Sequence, residues 1–124
     1  MIDVLFTATV AGADQDDLCS VVAVGNHTQY LELQRSQEGL YLEFGREDAG
    51  AAPVGVHSGL EGITLNAKRL ELRLNASASA QLGTEQRLHI PLRLSPEEAT
   101  LLRDKLREIT VDLIAFDEAL QAAA

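Results

Sequence analysis

Apolar and polar residues alternate with a period of two along most of the first three quarters of the chain, a pattern typical of half-buried β-strands. The first alternating run extends from Ile2 to Val10 and predicts one strand. Residues 11–17 are polar and predict a turn, while the near-continuous apolar run from Leu18 to Val24 predicts a second strand that ends at Gly25-Asn26.

Two later runs predict a β-hairpin. Leucines alternate with polar residues from Tyr30 to Arg35 and again from Leu40 to Phe44, and a short loop, Ser36-Gln37-Glu38-Gly39, joins them. Alternation directs the leucines to one face. The polar and aromatic side chains should occupy the other face.

The chain from residue 46 to residue 59 is rich in Gly, Ala, Asp and Pro, which predicts a surface loop with at most a short strand at residues 54–57. Further predicted elements are strands at residues 60–66, 69–75 and 85–94 and a helical turn at residues 76–82 that ends at Gly83. Pro91 cannot donate a ladder hydrogen bond. We therefore expect the last strand to lie at a sheet edge, or to turn its proline nitrogen away from a neighbouring strand.

A helix should begin at Ser95-Pro96-Glu97-Glu98, where a Ser N-cap, a Pro at the first helical position and a Glu at the third form a capping box. The apolar positions that follow are spaced alternately by three and four: Ala99, Leu102, Leu106, Ile109, Leu113, Phe116 and Leu120. This stripe predicts a helix from about residue 96 to residue 121 that packs on a sheet, or alternatively forms a dimer seam. Thr110-Val111 and Asp112 leave a break after Ile109 open.

These patterns predict the α+β class: a single, meander-like antiparallel sheet of six or seven strands, covered on one face by one long C-terminal helix. The chain has 124 residues, 46% of them apolar and 23% charged, which is the composition of one globular domain over residues 1–124. The chain shows no basic leader and no apolar run near the roughly 20 residues that span a bilayer. We therefore expect a cytoplasmic protein without a membrane partner.

The charge of the chain is strongly negative, with a net value of −9. This balance argues against binding nucleic acid through its phosphates. Residues 1–60 carry nine acids and two bases, Arg35 and Arg46, whereas residues 61–124 carry ten acids and eight bases. A negative surface supplied by the first half could serve solubility or attract a basic protein.

No constellation of residues predicts catalysis, a metal or a cofactor. Cys19 is the only cysteine, and its apolar neighbours predict an inert, partly buried thiol. His27, His57 and His89 are about thirty residues apart, which does not match the ligand spacing of a zinc site. Gly55-Val56-His57-Ser58-Gly59 has His where a nucleophile elbow requires Ser. We expect a protein that is not an enzyme and uses no cofactor.

The candidate partner-binding residues lie in two places in the first half. One is the acidic turn, and the other is the polar and aromatic side of the predicted hairpin, with Arg35 continuing it at one end. Together they comprise Asp14, Asp16, Asp17, Tyr30, Glu32, Arg35, Tyr41 and Glu43. Such a strip is either the solvated side of a sheet or an interface, because Tyr and Arg are effective interface anchors.

The order of these features resembles the Immunity protein 10 family, whose members are small bacterial proteins encoded beside polymorphic toxins. The similarity covers about residues 4–110, and its clearest segment is Tyr30-Leu31-Glu32-Leu33-Gln34-Arg35, which looks like the family's tyrosine-to-arginine strand. The other matching segments are Phe6-Thr7-Ala8, the acidic turn Asp14 to Asp17, Tyr41-Leu42-Glu43, Leu70 to Leu74, Leu82-Gly83, and the helix with Leu102, Leu106 and Ile109. Residues 110–124 depart from the family pattern.

The resemblance implies a non-catalytic protein that binds and neutralises a cognate toxin, which the acidic surface predicts to be basic. Two alternatives remain open from the sequence. The chain could be a structural or regulatory interaction module that forms a homodimer through its C-terminal helix. It could also be a small-ligand carrier or an enzyme, which would require a deep pocket holding Tyr41 and Glu43.

Overall fold

The computed structural model of the protein describes residues 2–46 and 52–118, which form an α+β fold with two five-stranded sheets and two helices. The elements in chain order are β1 (Ile2–Val4), β2 (Val10–Gln15), β3 (Ser20–Gly25), β4 (Gln29–Ser36), β5 (Gly39–Arg46), β6 (Val54–His57), β7 (Leu60–Leu65), β8 (Arg69–Leu74), α1 (Ala76–Leu82), β9 (Arg87–Pro91), α2 (Pro96–Thr110) and β10 (Ala115–Glu118). The prediction of a single sheet with one long helix is therefore wrong, although the α+β class is right.

The first sheet has the strand order β1-β9-β8-β7-β10. Its three central strands are antiparallel, as the alternation of β7 to β9 predicts. Both edge strands run parallel to their neighbours, with Ile2 beside Arg87 and Ala115 beside Gly62. The sheet therefore joins segments from both ends of the described chain.

The second sheet, β2-β3-β4-β5-β6, is a purely antiparallel meander. It contains the predicted hairpin, in which Ser36 pairs with Gly39. The predicted turn at residues 11–17 is mostly strand, because β2 pairs with β3 from Val10 to Gln15. The predicted strand from Ile2 to Val10 is interrupted, since residues 5–9 carry the chain from the first sheet to the second.

One apolar core lies between the inner faces of both sheets and α2. The inward residues of β4 and β8, such as Leu33 and Leu72, are almost completely buried. The single-sheet prediction fails because one helix of 15 residues is about 22 Å long and 10–12 Å wide, which covers only two or three strands spaced about 4.8 Å apart. The leucine faces of the strands that α2 does not cover pack against each other instead.

Helix α2 ends at Thr110, so the prediction of a helix to residue 121 is wrong. Asp112 has a φ of 64°, in the left-handed region that an α-helix cannot continue through. Phe116 belongs to β10 beside Ile63, and Leu113 is 44% exposed. The predicted stripe therefore stops at Ile109, and its last member, Leu120, lies outside the described residues. A homodimer seam along a continuous C-terminal helix therefore cannot form, because α2 ends at Thr110.

Both ends of α2 are tied to the second sheet. The predicted capping box is confirmed, with Ser95 and Glu98 bonded reciprocally. Glu98 Oε2 also accepts a hydrogen bond of 3.0 Å from the backbone N–H of Ala11 on the edge strand β2, and this bond lowers the pKa of Glu98. At the other end, the Arg35 guanidinium donates to the Val111 carbonyl at 2.8 Å. These contacts fix the helix over β2, β3 and β4.

Strand β9 lies inside the first sheet, between β1 and β8, so the edge position, one of the two alternatives predicted from Pro91, is wrong. The sheet tolerates this proline because it follows the last pair with β1, Val4 beside His89. In the part of the chain that the structure describes, no helix is long and apolar enough to cross a membrane.

Candidate functional site

The outward face of the second sheet holds most of the candidate residues. Since directly paired residues point to the same side of a sheet, the pairing of β2 to β6 defines this face. Its positions are Val10, Gly12, Asp14, Val21, Ala23, Gly25, Tyr30, Glu32, Gln34, Tyr41, Glu43, Gly45, Gly55 and His57. We call this surface the acidic face. It carries three carboxylates, and none of its positions is Lys or Arg.

Two carboxylates meet at the centre of the acidic face, because Glu32 on β4 pairs directly with Glu43 on β5. Like charges directly opposite each other destabilise a strand pair. Uncharged donors offset this repulsion. Gln34 Nε2 donates to Glu32 Oε2 at 2.7 Å, which leaves the net charge of −2 in place.

Glu43 is held by two tyrosines. The Tyr30 hydroxyl donates to Glu43 Oε2 at 2.7 Å, and the Tyr41 hydroxyl donates to Glu43 Oε1 at 3.0 Å. The bond to Glu43 raises the pKa of Tyr30 to about 12, because a phenolate could not donate it. Burial and the same carboxylate raise the pKa of Tyr41. Both hydroxyls therefore remain protonated donors at neutral pH.

Glycines on the neighbouring strands make room for the tyrosine rings. A Cβ at Gly45, which pairs directly with Tyr30, would clash with the Tyr30 ring, and a Cβ at Gly55 would clash with the ring of Tyr41. Aromatic rings that cover glycines in this way stabilise a sheet. Tyr41 also contacts the ring of His57, its direct partner on β6, at a centroid distance of 4.7 Å. The two tyrosines are therefore held rigidly across the face.

The acidic turn lies at one end of this face. Asp14 occupies the outward row that also contains Tyr41, whereas Asp16 and Asp17 follow in the exposed turn between β2 and β3. Asp16 Oδ1 accepts the backbone N–H groups of Leu18 and Cys19, which fixes this turn. The three predicted aspartates are thus near one another, but only Asp14 belongs to the acidic face.

Arg35 does not continue the strip. It pairs with Ser20 and Leu40 in an inward row, and its guanidinium bonds to carbonyls at the end of α2. Strict alternation from Tyr30 gives the same result, since odd positions of β4 point inward. The same alternation places Gln34 beside Tyr30 and Glu32 on the acidic face. His57 joins this face only through the pairing of β6 with β5, which local alternation does not predict.

The outward face of the first sheet has a different charge. Its central positions include Arg69, Arg73 and Arg87, and the Arg87 guanidinium forms an ion pair with the Glu71 carboxylate. His89 lies beside Glu71 in this face, and burial followed by the charge of Arg69 lowers its pKa. The charge difference between the two halves of the sequence therefore corresponds to a difference between the two sheets.

Among residues 2–46 and 52–118, no three His, Cys, Asp or Glu side chains are close enough together to hold a metal ion. Cys19 is half-buried beside Gln34, and burial raises the pKa of its thiol. Comparisons of the chain with protein-family models, with characterised proteins and with solved structures gave no match. The resemblance to the Immunity protein 10 family therefore stays a prediction.

Proposed function

We propose that this chain is an immunity protein that binds and neutralises a basic bacterial toxin in the cytoplasm through its acidic face. The observation that carries the proposal is the pairing of Glu32 and Glu43 between rigid tyrosines on a surface whose described positions include no Lys or Arg. A basic partner surface would neutralise the two carboxylates and remove their mutual repulsion.

The tyrosines suit the role of interface anchors. Tyr30 and Tyr41 are partly exposed, and their hydroxyls are fixed on Glu43, so little side-chain entropy remains to be lost on binding. Their rings also offer faces to a guanidinium or an ammonium group. The acidic face therefore combines charge complementarity, which speeds encounter, with aromatic area, which slows dissociation.

A small-ligand carrier built on Tyr41 and Glu43 would need these residues to line a deep pocket. Both lie instead on the open outer surface of the second sheet. The geometry thus favours contact with another macromolecule over enclosure of a small molecule at this site.

A protection assay tests the proposal. A toxin identified by co-purification with this chain, or among the genes beside its own, is expressed in bacteria with and without this chain, and growth is measured. Wild-type chain should restore growth, whereas the triple variant Asp14→Asn, Glu32→Gln, Glu43→Gln should not. The matched control is Glu61→Gln, Glu97→Gln, Asp117→Asn, which changes the net charge equally at exposed positions outside the acidic face. Equal protection by both triple variants would refute the acidic face as the binding site.

Binding kinetics across a salt series separate steering from anchoring. Asp14→Asn, Asp16→Asn and Asp17→Asn together should slow association and flatten its salt dependence, while the amide introduced by Asp16→Asn keeps the oxygen that caps the turn. Tyr30→Ala should instead speed dissociation, with a loss of about 2 kcal/mol. An acidic partner, or association that is insensitive to salt, would contradict the electrostatic argument.

A further inference from the structure

The outward face of the first sheet is a second charged surface. Because both sheets turn their inner faces to one core, this surface and the acidic face lie on opposite sides of the molecule. Direct pairing defines its positions as Ile2, Val4, Gly62, Thr64, Arg69, Glu71, Arg73, Arg87, His89, Pro91, Ala115 and Asp117. We call this surface the arginine face. Its three arginines outnumber its two carboxylates, whereas the acidic face carries three carboxylates and no Lys or Arg.

Arg73 is held in place by uncharged neighbours. Its guanidinium lies over Gly62, where a Cβ would clash with it, and Nη1 donates to Thr64 Oγ1 at 3.2 Å. Within residues 2–46 and 52–118, neither Arg73 nor Arg69 forms an ion pair. The positive charge of Arg73 is therefore fixed on the sheet and not neutralised, which reduces the entropy that its contact with an anion would cost.

The carboxylates of the arginine face do not cancel this charge. Glu71 Oε1 accepts a hydrogen bond of 2.9 Å from Arg87 Nε, and the Glu71 side chain is only 14% exposed. Asp117 lies on the edge strand β10, beside Thr64. The accessible charges at the centre of the arginine face are therefore those of Arg69 and Arg73.

The spacing of these two arginines matches the spacing of the carboxylates on the acidic face. Arg69 and Arg73 are four residues apart on β8, which corresponds to about 13 Å along a strand. Asp14 is two strands and two residues away from Glu32, which corresponds to about 12 Å across the second sheet. Two guanidinium groups and two carboxylate positions of similar separation can therefore meet in one face-to-face contact.

We propose that the arginine face binds the acidic face of a second copy of this chain. Arg73 of one copy lies on the Glu32–Glu43 pair of the next and offsets the repulsion between these two carboxylates, while Arg69 reaches Asp14. The contact is head-to-tail, so each bound pair keeps one free face of each kind and can add further copies. This self-association does not depend on toxin binding, although a toxin on the acidic face would compete with it.

The size of the faces indicates a weak contact. A face of five strands is about 24 Å wide and about 17 Å long, so two such faces would bury about 800 Å² in total, below the roughly 1,200 Å² of stable interfaces. The net charge of −9 on each copy also opposes association, but salt at about 0.15 M screens this repulsion beyond about 8 Å. We therefore expect reversible association with a dissociation constant of up to about 1 mM.

Sedimentation equilibrium of the full chain at concentrations up to about 1 mM, in about 0.15 M salt, tests this proposal. The average mass of the wild-type chain should rise steadily with concentration and pass that of a dimer. The double variants Arg69→Gln, Arg73→Gln and Glu32→Gln, Glu43→Gln should each associate at least tenfold more weakly. The second variant lowers the net negative charge, so general repulsion between copies cannot explain its loss of association.

A mixture of the two double variants tests the head-to-tail arrangement. Each variant brings the face that the other lacks, so the mixture should form a dimer that adds no further copies. The charge-matched control for the arginine variant is Arg103→Gln, Arg107→Gln on α2, which should associate like the wild type. Amide spectra verify that each variant is folded.

Three results would overturn the proposal. The first is a wild-type chain that stays monomeric at 1 mM. The second is a wild-type mass that stops at the dimer, which would indicate a symmetric contact instead. The third is a mixture of the two folded variants that stays monomeric.

Discussion

Replacement of Leu106 by Ala tests the arrangement of the core most directly. This side chain is fully buried on α2. Together with Leu102 it borders a small space whose other walls include Val22 and Leu33 of the second sheet and Leu70 of the first. Leu106 therefore lies where the helix and both sheets meet, and its truncation removes packing from all three.

The expected cost follows from this position. Leu→Ala changes in cores cost about 2–5 kcal/mol, and the upper part of the range applies where the surroundings cannot collapse into the cavity. Around Leu106 the backbone is held by two sheet ladders and by the contacts at both ends of α2, so we expect at least about 3 kcal/mol. Leu101 is the matched control, since it is on the same helix but 42% exposed, and Leu101→Ala should cost below about 1 kcal/mol.

Urea unfolding followed by circular dichroism measures both changes. With a denaturant slope of about 1–3 kcal/mol/M, a loss of 3 kcal/mol lowers the unfolding midpoint by about 1–3 M. Equal midpoints for Leu106→Ala and Leu101→Ala would refute the placement of α2 against both sheets. A lower midpoint for Leu101→Ala would show that the helix is rotated about its axis.

Three further predictions concern the acidic face and its support. In a Tyr41→Phe background, UV-absorbance titration should place the Tyr30 pKa near 12, and Glu43→Gln should move this pKa toward 10. The stability that the Tyr30–Glu43 bond contributes is present below about pH 10 and is lost as the pH rises through about 12. An unchanged Tyr30 pKa in Glu43→Gln would contradict the bond. Gly55→Ala should displace the Tyr41 ring and cost about 1–3 kcal/mol, while Gly12→Ala, which meets nothing within 4 Å, should be nearly neutral; equal unfolding midpoints contradict the packing. Arg35→Met should lower stability by about 1 kcal/mol and speed amide exchange in the last turn of α2, and unchanged exchange would contradict the Arg35 contact.

Local pattern was sufficient for the elements whose neighbours in sequence are also their neighbours in space. Alternation predicted the β4–β5 hairpin and the leucine faces of β8 and β9, because each polar side is partly exposed and each apolar side is buried. Asn75 and Gly83 cap α1 where the small-residue segment predicts a helical turn. The central part of the acidic face was therefore predictable as well.

Pairing between distant segments was not predictable, because alternation shows which face of a strand is apolar but not which strand lies beside it. β2 was missed since Gly12, Ala13 and Asp14 are poor strand formers, and its pairing with β3 holds them extended. The end of α2 was missed because Leu113 and Phe116 happen to continue the helical spacing. Phe116 is apolar for a different reason: it lies beside Ile63 in the β10–β7 pair and packs against the core.

The unequal connectivity of the two sheets has a consequence for the order of folding. Each strand of the second sheet pairs with its sequence neighbour, so this sheet forms by closing short loops. The first sheet cannot be completed in this way, because β1, synthesised first, must wait for β9, and β10 must return across α2 to β7. Non-local pairs form slowly, so β1 and β10 should dock last on an assembled core. The acidic face would then be in place before the edges of the opposite sheet have closed.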